Sequence, residues 1–323
     1  MADGTPYPVL DIYGEDTPID FLFTYRDKPF IARGNVQTLK GREKAGKSAF
    51  GVALIVAALK GEFAGVKPCK DNLRVLWIDT EQDTTTLRQR AKAALSMAGK
   101  DGEIPDTLVI VPLRGFVASD RVAAVASAVE NETPDFVFLD GAVDLCADFN
   151  DNKESAATVA ALTGHTEKHK CALLAVIHTN KKDDEARGHL GTMLQQKSSE
   201  VYEVTKTGGT ATMKQQLCRF AGIPDMKLKF EDNFRLQPAG GGMSEADAKV
   251  ERMRETFSGI CGAQKEWRYT DLVAEYEQME GVGTRWAKNA VAEALKAGVL
   301  FKNGNGKEAI YTYLFPKDDD SLL

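Results

Sequence analysis

The stretch "GREKAGKSAF" at residues 41–50 decides the fold of this chain. It follows the pattern G-x-x-x-x-G-K-[ST], which is the signature of a phosphate-binding loop. Its glycines let the backbone pass close to phosphate oxygens, and several N–H groups and the N-terminus of the next helix face the anion. We therefore expect a nucleoside triphosphate to bind here. The residues expected around its phosphates are Gly41, Lys44, Ala45, Gly46, Lys47, Ser48 and Ala49.

The sequence on both sides of this loop predicts an α/β fold. A strand-like segment, "NVQTLKG", precedes the loop, and an alanine-rich helical segment, "SAFGVALIVAALKG", follows it. Four more short apolar runs are typical of strands buried on both faces of a parallel sheet. They are "RVLWID" (74–79), "TLVIVPL" (107–113), "DFVFLD" (135–140) and "CALLAVIHT" (171–179). Helical segments separate these strands, so we expect a mainly parallel sheet with helices on both faces.

The pattern changes after residue 198. Residues 199–220 and 226–238 alternate with period two around turn residues, which predicts antiparallel hairpins at the edge of the sheet. A glycine-rich linker follows. Two amphipathic helices at 269–279 and 284–298 and a hairpin at 299–314 then predict a winged helix-turn-helix domain.

These boundaries predict five regions. They are an N-terminal arm (1–24), an α/β domain with the phosphate loop (25–238), a linker (239–250), a winged-helix domain (251–316) and an acidic tail (317–323).

Composition narrows the class of protein. With 41 Lys and Arg against 47 Asp and Glu, the formal charge is −6, which argues against a protein that coats nucleic acid with its whole surface. No window approaches the roughly 18 apolar residues that would span a bilayer. We expect a cytoplasmic protein that does not bind membranes. The five cysteines are odd in number and widely spaced, so we interpret them as buried thiols, mostly in apolar strands.

Several polar residues end predicted strands, where the phosphate loop also lies. Lys47 is expected to contact the β- and γ-phosphates, and Ser48 to bind Mg²⁺. Asp140 ends a strand and is the best candidate for the acid that holds Mg²⁺, although Asp79 ends another and competes with it. Glu81 follows Asp79 and suits a base that activates water, but it also suits a helix N-terminus.

His178 and Asn180 end the strand "CALLAVIHTN" at the same edge. A polar side chain there can contact the γ-phosphate and respond to its loss. A histidine at a strand end also often has a purely structural role.

Together, the loop, Glu81, the strand ending in Asp140, and the motifs "HTNK" and "ARG" resemble a known family. This family is the RecA-like ATPases of plasmid RepA-type hexameric replicative helicases, relatives of the DnaB and KaiC groups. The resemblance covers residues 25–238. It implies that Glu81 is the catalytic base, that Asp140 is associated with the metal and that His178 is a sensor. It also matches Arg90 to an arginine that follows the glutamate on the same helix.

The resemblance further implies a ring, with a hexamer favoured, and DNA within it. Arg219 occupies the position of an arginine that reaches the nucleotide of the neighbouring subunit, but Leu217 stands where a second basic residue is common. The segment 180–191 takes the place of a DNA-facing loop, in which Asp183, Asp184 and Glu185 weaken the basic character. The candidate contacts to nucleic acid are Lys181, Lys182 and Arg187 in this loop, and Arg285, Lys288, Lys302 and Lys307 in the C-terminal region.

These features predict an ATPase with ATP and Mg²⁺ as cofactors, acting as a helicase or translocase on single-stranded DNA for a plasmid or mobile element. One alternative is an ATP-controlled switch or loader that recruits replication or recombination proteins and unwinds nothing. Another is a small-molecule kinase with the same phosphate loop. The sequence leaves DNA and protein equally open as partners of the winged helix.

Overall fold

The computed structural model describes residue 12 and residues 18–180, 186–220, 222–239, 245–262, 266–304, 306 and 309–313. The chain divides into two compact units, Met1–Ala239 and Gly240–Leu323.

The structure describes twelve strands in the first unit. They are β1 (Phe21–Tyr25), β2 (Lys28–Ala32), β3 (Val36–Gly41), β4 (Val66–Pro68), β5 (Val75–Asp79), β6 (Leu108–Pro112), β7 (Phe136–Asp140), β8 (Ala172–His178), β9 (Glu200–Thr207), β10 (Thr210–Cys218), β11 (Met226–Phe230) and β12 (Leu236–Pro238). Its α-helices are α1 (Lys47–Lys60), α2 (Thr84–Met97), α3 (Ala118–Glu132), α4 (Asn152–His169) and α5 (Gly188–Lys197).

Nine of these strands form a central sheet in the order β12-β11-β10-β9-β3-β8-β7-β5-β6. Strands β3, β5, β6, β7, β8 and β9 pair in parallel, and β10, β11 and β12 extend the sheet in antiparallel pairs. The predicted α/β fold with a mainly parallel sheet and antiparallel edge hairpins is confirmed. A small sheet, β2-β1-β4, was not predicted, because its strands are only three to five residues long.

Two apolar layers cover the central sheet. Helices α1 and α2 pack with the aromatic rings of Trp77, Phe136 and Phe138 on one face. Helices α3, α4 and α5 pack on the other face, against β7 and β8 residues such as Leu139 and Leu173. Because both faces are covered, β5 and β7 are buried throughout, including the aspartates at their carboxyl ends. The fold thus places buried carboxylates at the same edge of the sheet as the phosphate loop.

The second unit contains α6 (Glu245–Cys261), β13 (Trp267–Arg268), α7 (Tyr269–Glu280), α8 (Thr284–Lys296), β14 (Leu300–Asn303) and β15 (Ile310–Tyr313). Its three strands form a separate sheet in the order β13-β15-β14. Phe257, Leu272 and Val291 lie in its own apolar core. The first residues of α6 occupy the range 245–250 that was predicted as linker.

The interpretation of the cysteines is wrong in part. Cys146, Cys171 and Cys261 are buried, but Cys69 is exposed and Cys218 is partly exposed. Cys218 alone lies in a strand, as the last residue of β10, and Cys261 ends a helix. All five are free thiols. Among the helices that the structure describes, none combines the length and the apolar character that crossing a bilayer requires.

The burial of the central sheet predicts that two leucines contribute very differently to the free energy of unfolding. Leu76 in β5 is fully buried, whereas Leu217 in β10 is 58% exposed. We expect Leu76→Ala to lower the free energy of unfolding of the first unit by about 2–5 kcal/mol, because a buried cavity remains. We expect Leu217→Ala to change it by less than about 0.5 kcal/mol. Urea unfolding followed by circular dichroism measures both, and equal effects would contradict the assigned strand register.

Candidate functional site

Lys47 lies at the carboxyl edge of the central sheet, at the first residue of α1. Its Nζ donates hydrogen bonds to the carbonyl oxygens of Gly41 and Arg42, each at 2.9 Å, and lies 3.0 Å from Nδ1 of His178. Burial lowers the pKa of Lys47, and the carboxylates of Glu81, Asp140 and Glu43 act in the opposite direction. The phosphate loop therefore holds a buried cation that faces carboxylates and a histidine.

The loop requires glycine at position 46. Gly46 precedes α1 in a left-handed conformation, with φ of 99°. A Cβ atom there would lie 2.6 Å from Cζ of Phe230 and 3.1 Å from Cβ of Ala211. Both the backbone conformation and the contact with the β11 side chain therefore exclude larger residues.

His178 joins Lys47 to Glu81. Its Nε2 lies 3.1 Å from Oε1 of Glu81, and its Nδ1 faces the Lys47 ammonium. Because an ammonium only donates and a carboxylate only accepts, these partners fit the neutral imidazole with its proton on Nε2. The hydrogen bond from His178 is the main cause that lowers the pKa of Glu81 and outweighs the opposing effect of burial. Glu81 is thus a carboxylate at neutral pH and can accept a proton.

Asp140 ends β7 directly opposite Asp79, which ends β5. Burial, and next the charge of Asp79, raise the pKa of Asp140 to about 7, while a hydrogen bond with Ser48 opposes this shift. Nη1 of Arg90 lies 3.7 Å from Oδ2 of Asp140. The two aspartates differ in their contacts, because Asp79 Oδ1 accepts hydrogen bonds from the backbone N–H groups of Glu81 and Gln82. Asp140 is therefore the aspartate that contacts the serine of the phosphate loop.

The residues around Asp140 fit Mg²⁺ bound together with a nucleotide. Ser48 and Asp140 supply a hydroxyl and a carboxylate, and Oδ2 of Asp140 is buried without a hydrogen-bond partner among the described residues. Mg²⁺ commonly takes one or two carboxylates, with substrate phosphates and water completing its octahedral shell. The described residues contain no cluster of three or more His, Cys, Asp or Glu side chains that could hold a metal ion. This donor set thus suits an ion that arrives with the phosphates.

A cavity of about 540 Å³ extends from the phosphate loop between two pairs of aromatic and cationic side chains. Nζ of Lys206 lies 4.3 Å from the ring centroid of Phe230, and the guanidinium carbon of Arg90 lies 5.5 Å from that of Phe234. The rings are 37% and 40% exposed, respectively. Cavities of this size, with apolar walls and a few polar groups, are typical of small-molecule sites. Its walls suit a nucleobase next to the phosphates.

The backbone that carries Phe234 is strained. Asn233 and Phe234 adopt left-handed conformations with φ of 57° and 61°. Such a conformation costs on the order of 1–3 kcal/mol in a residue that is not glycine, and it is concentrated at ligand sites. Lys206, Phe230 and Phe234 were absent from the sequence-based prediction. The turn residues "EDN" indicated a hairpin, but no periodicity indicates which ring reaches a cavity formed by residues far away in sequence.

The other predicted residues lie in different places. Lys44 and Arg90 line the cavity. Arg219 follows β10 and is exposed; its strand end pairs with Glu200 at the start of β9, so it lies at the sheet edge opposite the phosphate loop. Ala45, within the phosphate loop, and Ala49, in α1, are buried. The structure brings together the predicted phosphate, metal and base residues, but not Arg219.

The predicted nucleic-acid contacts are only partly described. The N–H group of Arg187 donates to the carbonyl oxygen of His178 at 2.9 Å, and its guanidinium carbon lies 4.9 Å from the ring centroid of Phe149. In the second unit, three of the predicted contacts are exposed on α8 and β14. They are Arg285, Lys288 and Lys302. Lys181, Lys182 and Lys307 lie outside the described residues.

A phosphate loop on a mainly parallel sheet, with a buried aspartate beside its serine and a glutamate just after the strand that pairs with the aspartate's strand, defines a P-loop nucleotide-binding site. The profile of the AAA domain family matches residues 23–184, half of the chain, and the chain belongs to this family. ATPases of this class bind ATP, usually with Mg²⁺.

The chain is also similar to a solved structure described as "Crystal structure of the RadB recombinase". The two share 12% sequence identity, with a TM-score of 0.45, over 66% of this chain and 94% of that one. No curated protein matches the sequence.

The raised pKa of Asp140 predicts that replacing its carboxyl group with a neutral amide stabilises the fold at high pH. Because the native state holds the proton up to about pH 7, whereas an unfolded aspartate releases it near its ordinary value of 3.8, ionisation of Asp140 destabilises the fold as the pH rises between these values. We expect Asp140→Asn to raise the Tm at pH 8 and to change it little at pH 4, in chelator and without nucleotide. Calorimetry at both pH values measures this, and an equal shift at both would contradict the raised pKa.

The aromatic wall predicts a role for Phe234 in nucleotide affinity. An aromatic contact contributes about 0.5–1.5 kcal/mol beyond area burial, so we expect Phe234→Ala to weaken ATP binding by roughly 2- to 12-fold. The matched control is Phe301→Ala in the second unit, where the ring is 55% exposed. Binding of a fluorescent ATP analogue measures both variants. Unchanged affinity in Phe234→Ala would remove this ring from the site.

Proposed function

We propose that this protein is an ATP-hydrolysing motor that assembles as a ring, with a hexamer favoured, and moves along DNA as a replicative helicase or translocase of a plasmid or mobile element. The observation that carries the proposal is the position of His178. Its side chain contacts Lys47 and Glu81. Its carbonyl oxygen accepts a hydrogen bond from the N–H group of Arg187, which follows the segment 181–185 in the sequence. One residue thus links the hydrolytic site to the base of the segment expected to face DNA.

Hydrolysis on this proposal uses residues already in contact. Lys47 would bind the β- and γ-phosphates, and Ser48 and Asp140 would hold Mg²⁺, which supplies positive charge against the phosphates when bound. Glu81 orients the attacking water and accepts its proton on the carboxylate. The lowered pKa of Glu81 keeps this oxygen unprotonated at neutral pH.

The same contacts offer a route from nucleotide to DNA. A terminal phosphate competes with His178 for the Lys47 ammonium, so the partners of the imidazole change with the nucleotide state. The backbone at His178 is bonded to Arg187, and Thr179 forms an isolated β-bridge with Ala186. A shift of His178 therefore moves both ends of the segment that carries Lys181 and Lys182, which we propose contact the backbone of single-stranded DNA.

Ring assembly supplies a role for Arg219. This side chain is exposed and stands at the edge opposite its own phosphate loop, which supports a role toward a nucleotide held by another subunit. An arginine supplied by a neighbour stabilises the charge that develops on the transferred phosphoryl group.

A second candidate is an ATP-dependent switch or loader that recruits replication or recombination proteins through the C-terminal unit. It is favoured by Trp286 on α8 and Phe301 on β14, which are 70% and 55% exposed. Exposed aromatic residues are enriched at protein interfaces. We propose that this unit is a winged helix. Its exposed cations Arg285, Lys288 and Lys302 would favour DNA as the partner instead of a protein.

The motor proposal predicts ATP hydrolysis that single-stranded DNA stimulates. We expect Glu81→Gln to lower kcat by about 10²- to 10⁴-fold, because the general base is lost. Lys47→Ala should abolish both ATP binding and hydrolysis. The matched controls are Glu103→Gln and Lys67→Ala, which change exposed residues outside the cavity and should leave kcat unchanged. Phosphate release with and without DNA, at low and high salt, measures hydrolysis by the wild type and by these four variants.

The outcomes separate the candidates. A wild-type protein without ATPase activity would overturn the enzymatic proposal, and activity indifferent to DNA would overturn the motor. Native mass measurement with an ATP analogue and single-stranded DNA tests the ring, and a monomer under these conditions would favour a small-molecule kinase. Unwinding of a forked duplex by the protein alone would exclude the loader.

A further inference from the structure

Asp79 is a buried carboxylate that the hydrolytic scheme does not use. It ends β5 and is fully buried. Its Oδ1 accepts hydrogen bonds from the backbone N–H groups of Glu81, at 3.0 Å, and of Gln82, at 2.7 Å. An aspartate that accepts from the residues two and three positions ahead closes a local turn. This turn lies between the strand and α2, and it carries Glu81.

A second set of contacts joins the same turn to the end of β7. The N–H group of Thr80 donates to the carbonyl oxygen of Asp140 at 3.0 Å. Oγ1 of Thr80 lies 2.8 Å from the carbonyl oxygen of Gly141 and 2.9 Å from Oδ2 of Asp144. The backbone that carries the base is thus bonded to the backbone that carries the metal-associated acid.

Gly141 permits this close approach. It has φ of 97°, and a Cβ atom there would lie 2.2 Å from Oγ1 of Thr80 and 2.7 Å from Cγ of Glu81. The side chain of Glu81 therefore packs directly against the glycine that follows Asp140. No larger residue fits without displacing either Thr80 or Glu81.

From these contacts we propose that Asp79 is a positioning residue for hydrolysis: by accepting the N–H groups of Glu81 and Gln82, it holds Glu81 at a fixed place beside Asp140. The proposal rests on the proposed role of Glu81 as the base. Asp79 acts through the acceptor oxygen of its side chain and through the backbone, without contact to nucleotide. A base displaced by about 1 Å can lose on the order of 10²-fold in rate, so a turn that fixes its position affects kcat.

The competing role for Asp79 is that of a second ligand of Mg²⁺, in which the negative charge is essential. The two roles differ in one property of the side chain. Positioning requires an oxygen acceptor at Oδ1, which asparagine retains. Metal ligation requires the carboxylate charge, which asparagine lacks.

The experiment compares Asp79→Asn with Asp79→Ala in the full chain. We expect Asp79→Ala to lower kcat by about 30- to 100-fold with the KM for ATP within threefold of wild type, because misplacement of the base impairs the chemical step and not binding. We expect Asp79→Asn to retain kcat within about tenfold of wild type. The dependence of activity on Mg²⁺ concentration should be the same in both variants and in wild type.

A double-mutant test separates positioning of Glu81 from a general structural defect. In a Glu81→Gln background, Asp79→Ala should lower kcat by less than threefold further, since the group that it positions is already absent. An undiminished further loss would contradict the proposal. An Asp79→Asn variant as inactive as Asp79→Ala, or one with a raised Mg²⁺ requirement, would assign Asp79 to the metal and overturn it.

Two further measurements keep the test decisive. If Asp79→Ala does not fold, as judged by its Tm, Thr80→Val removes one hydroxyl from the same turn at nearly constant volume, and it should lower kcat with an unchanged KM. If Glu81→Gln alone hydrolyses ATP as wild type does, the proposed base is wrong, which is a different failure from that of Asp79.

Discussion

The contact of His178 with both Lys47 and Glu81 is the interaction on which the functional site depends. Burial makes an unpaired lysine or glutamate unfavourable. The neutral imidazole donates to Glu81 and accepts from Lys47, which also donates to two carbonyl oxygens of the loop. The fold makes this contact by ending β3, β5 and β8 at one edge. Under the proposed function, the His178 side chain responds when a phosphate changes the partners of Lys47.

The same edge illustrates how a fold concentrates charge that it must then control. Asp79 and Asp140 lie opposite each other on paired strands, within a layer of apolar side chains. Burial raises the pKa of both carboxyl groups, the charge of Asp79 raises that of Asp140 further, and each group is compensated differently. Asp79 accepts backbone N–H groups, whereas Asp140 contacts Ser48 and lies near Arg90. This division fits one carboxylate that shapes the turn and one that remains available to a cation.

The aromatic walls of the cavity come from a part of the chain remote from the phosphate loop. Phe230 and Phe234 belong to the late hairpin, yet Phe230 packs against Gly46, and Phe234 stacks with Arg90 of α2. The antiparallel extension of the sheet therefore completes the nucleotide cavity. Its strained backbone at Asn233 and Phe234 is consistent with a ring held in position for a ligand.

The sequence by itself determined the class of fold and the phosphate-binding loop, because both depend on local pattern: glycine spacing, apolar strands and helical periodicity. It also predicted Glu81, Asp140 and His178 at one edge, since residues at the carboxyl ends of parallel strands must meet there. Only the tertiary structure decided how those residues pair. The different contacts of Asp79 and Asp140, the tautomer of His178 and the position of Phe234 beside the cavity all depend on distances between residues far apart in sequence. No local pattern encodes such distances, because packing of the two apolar layers sets them.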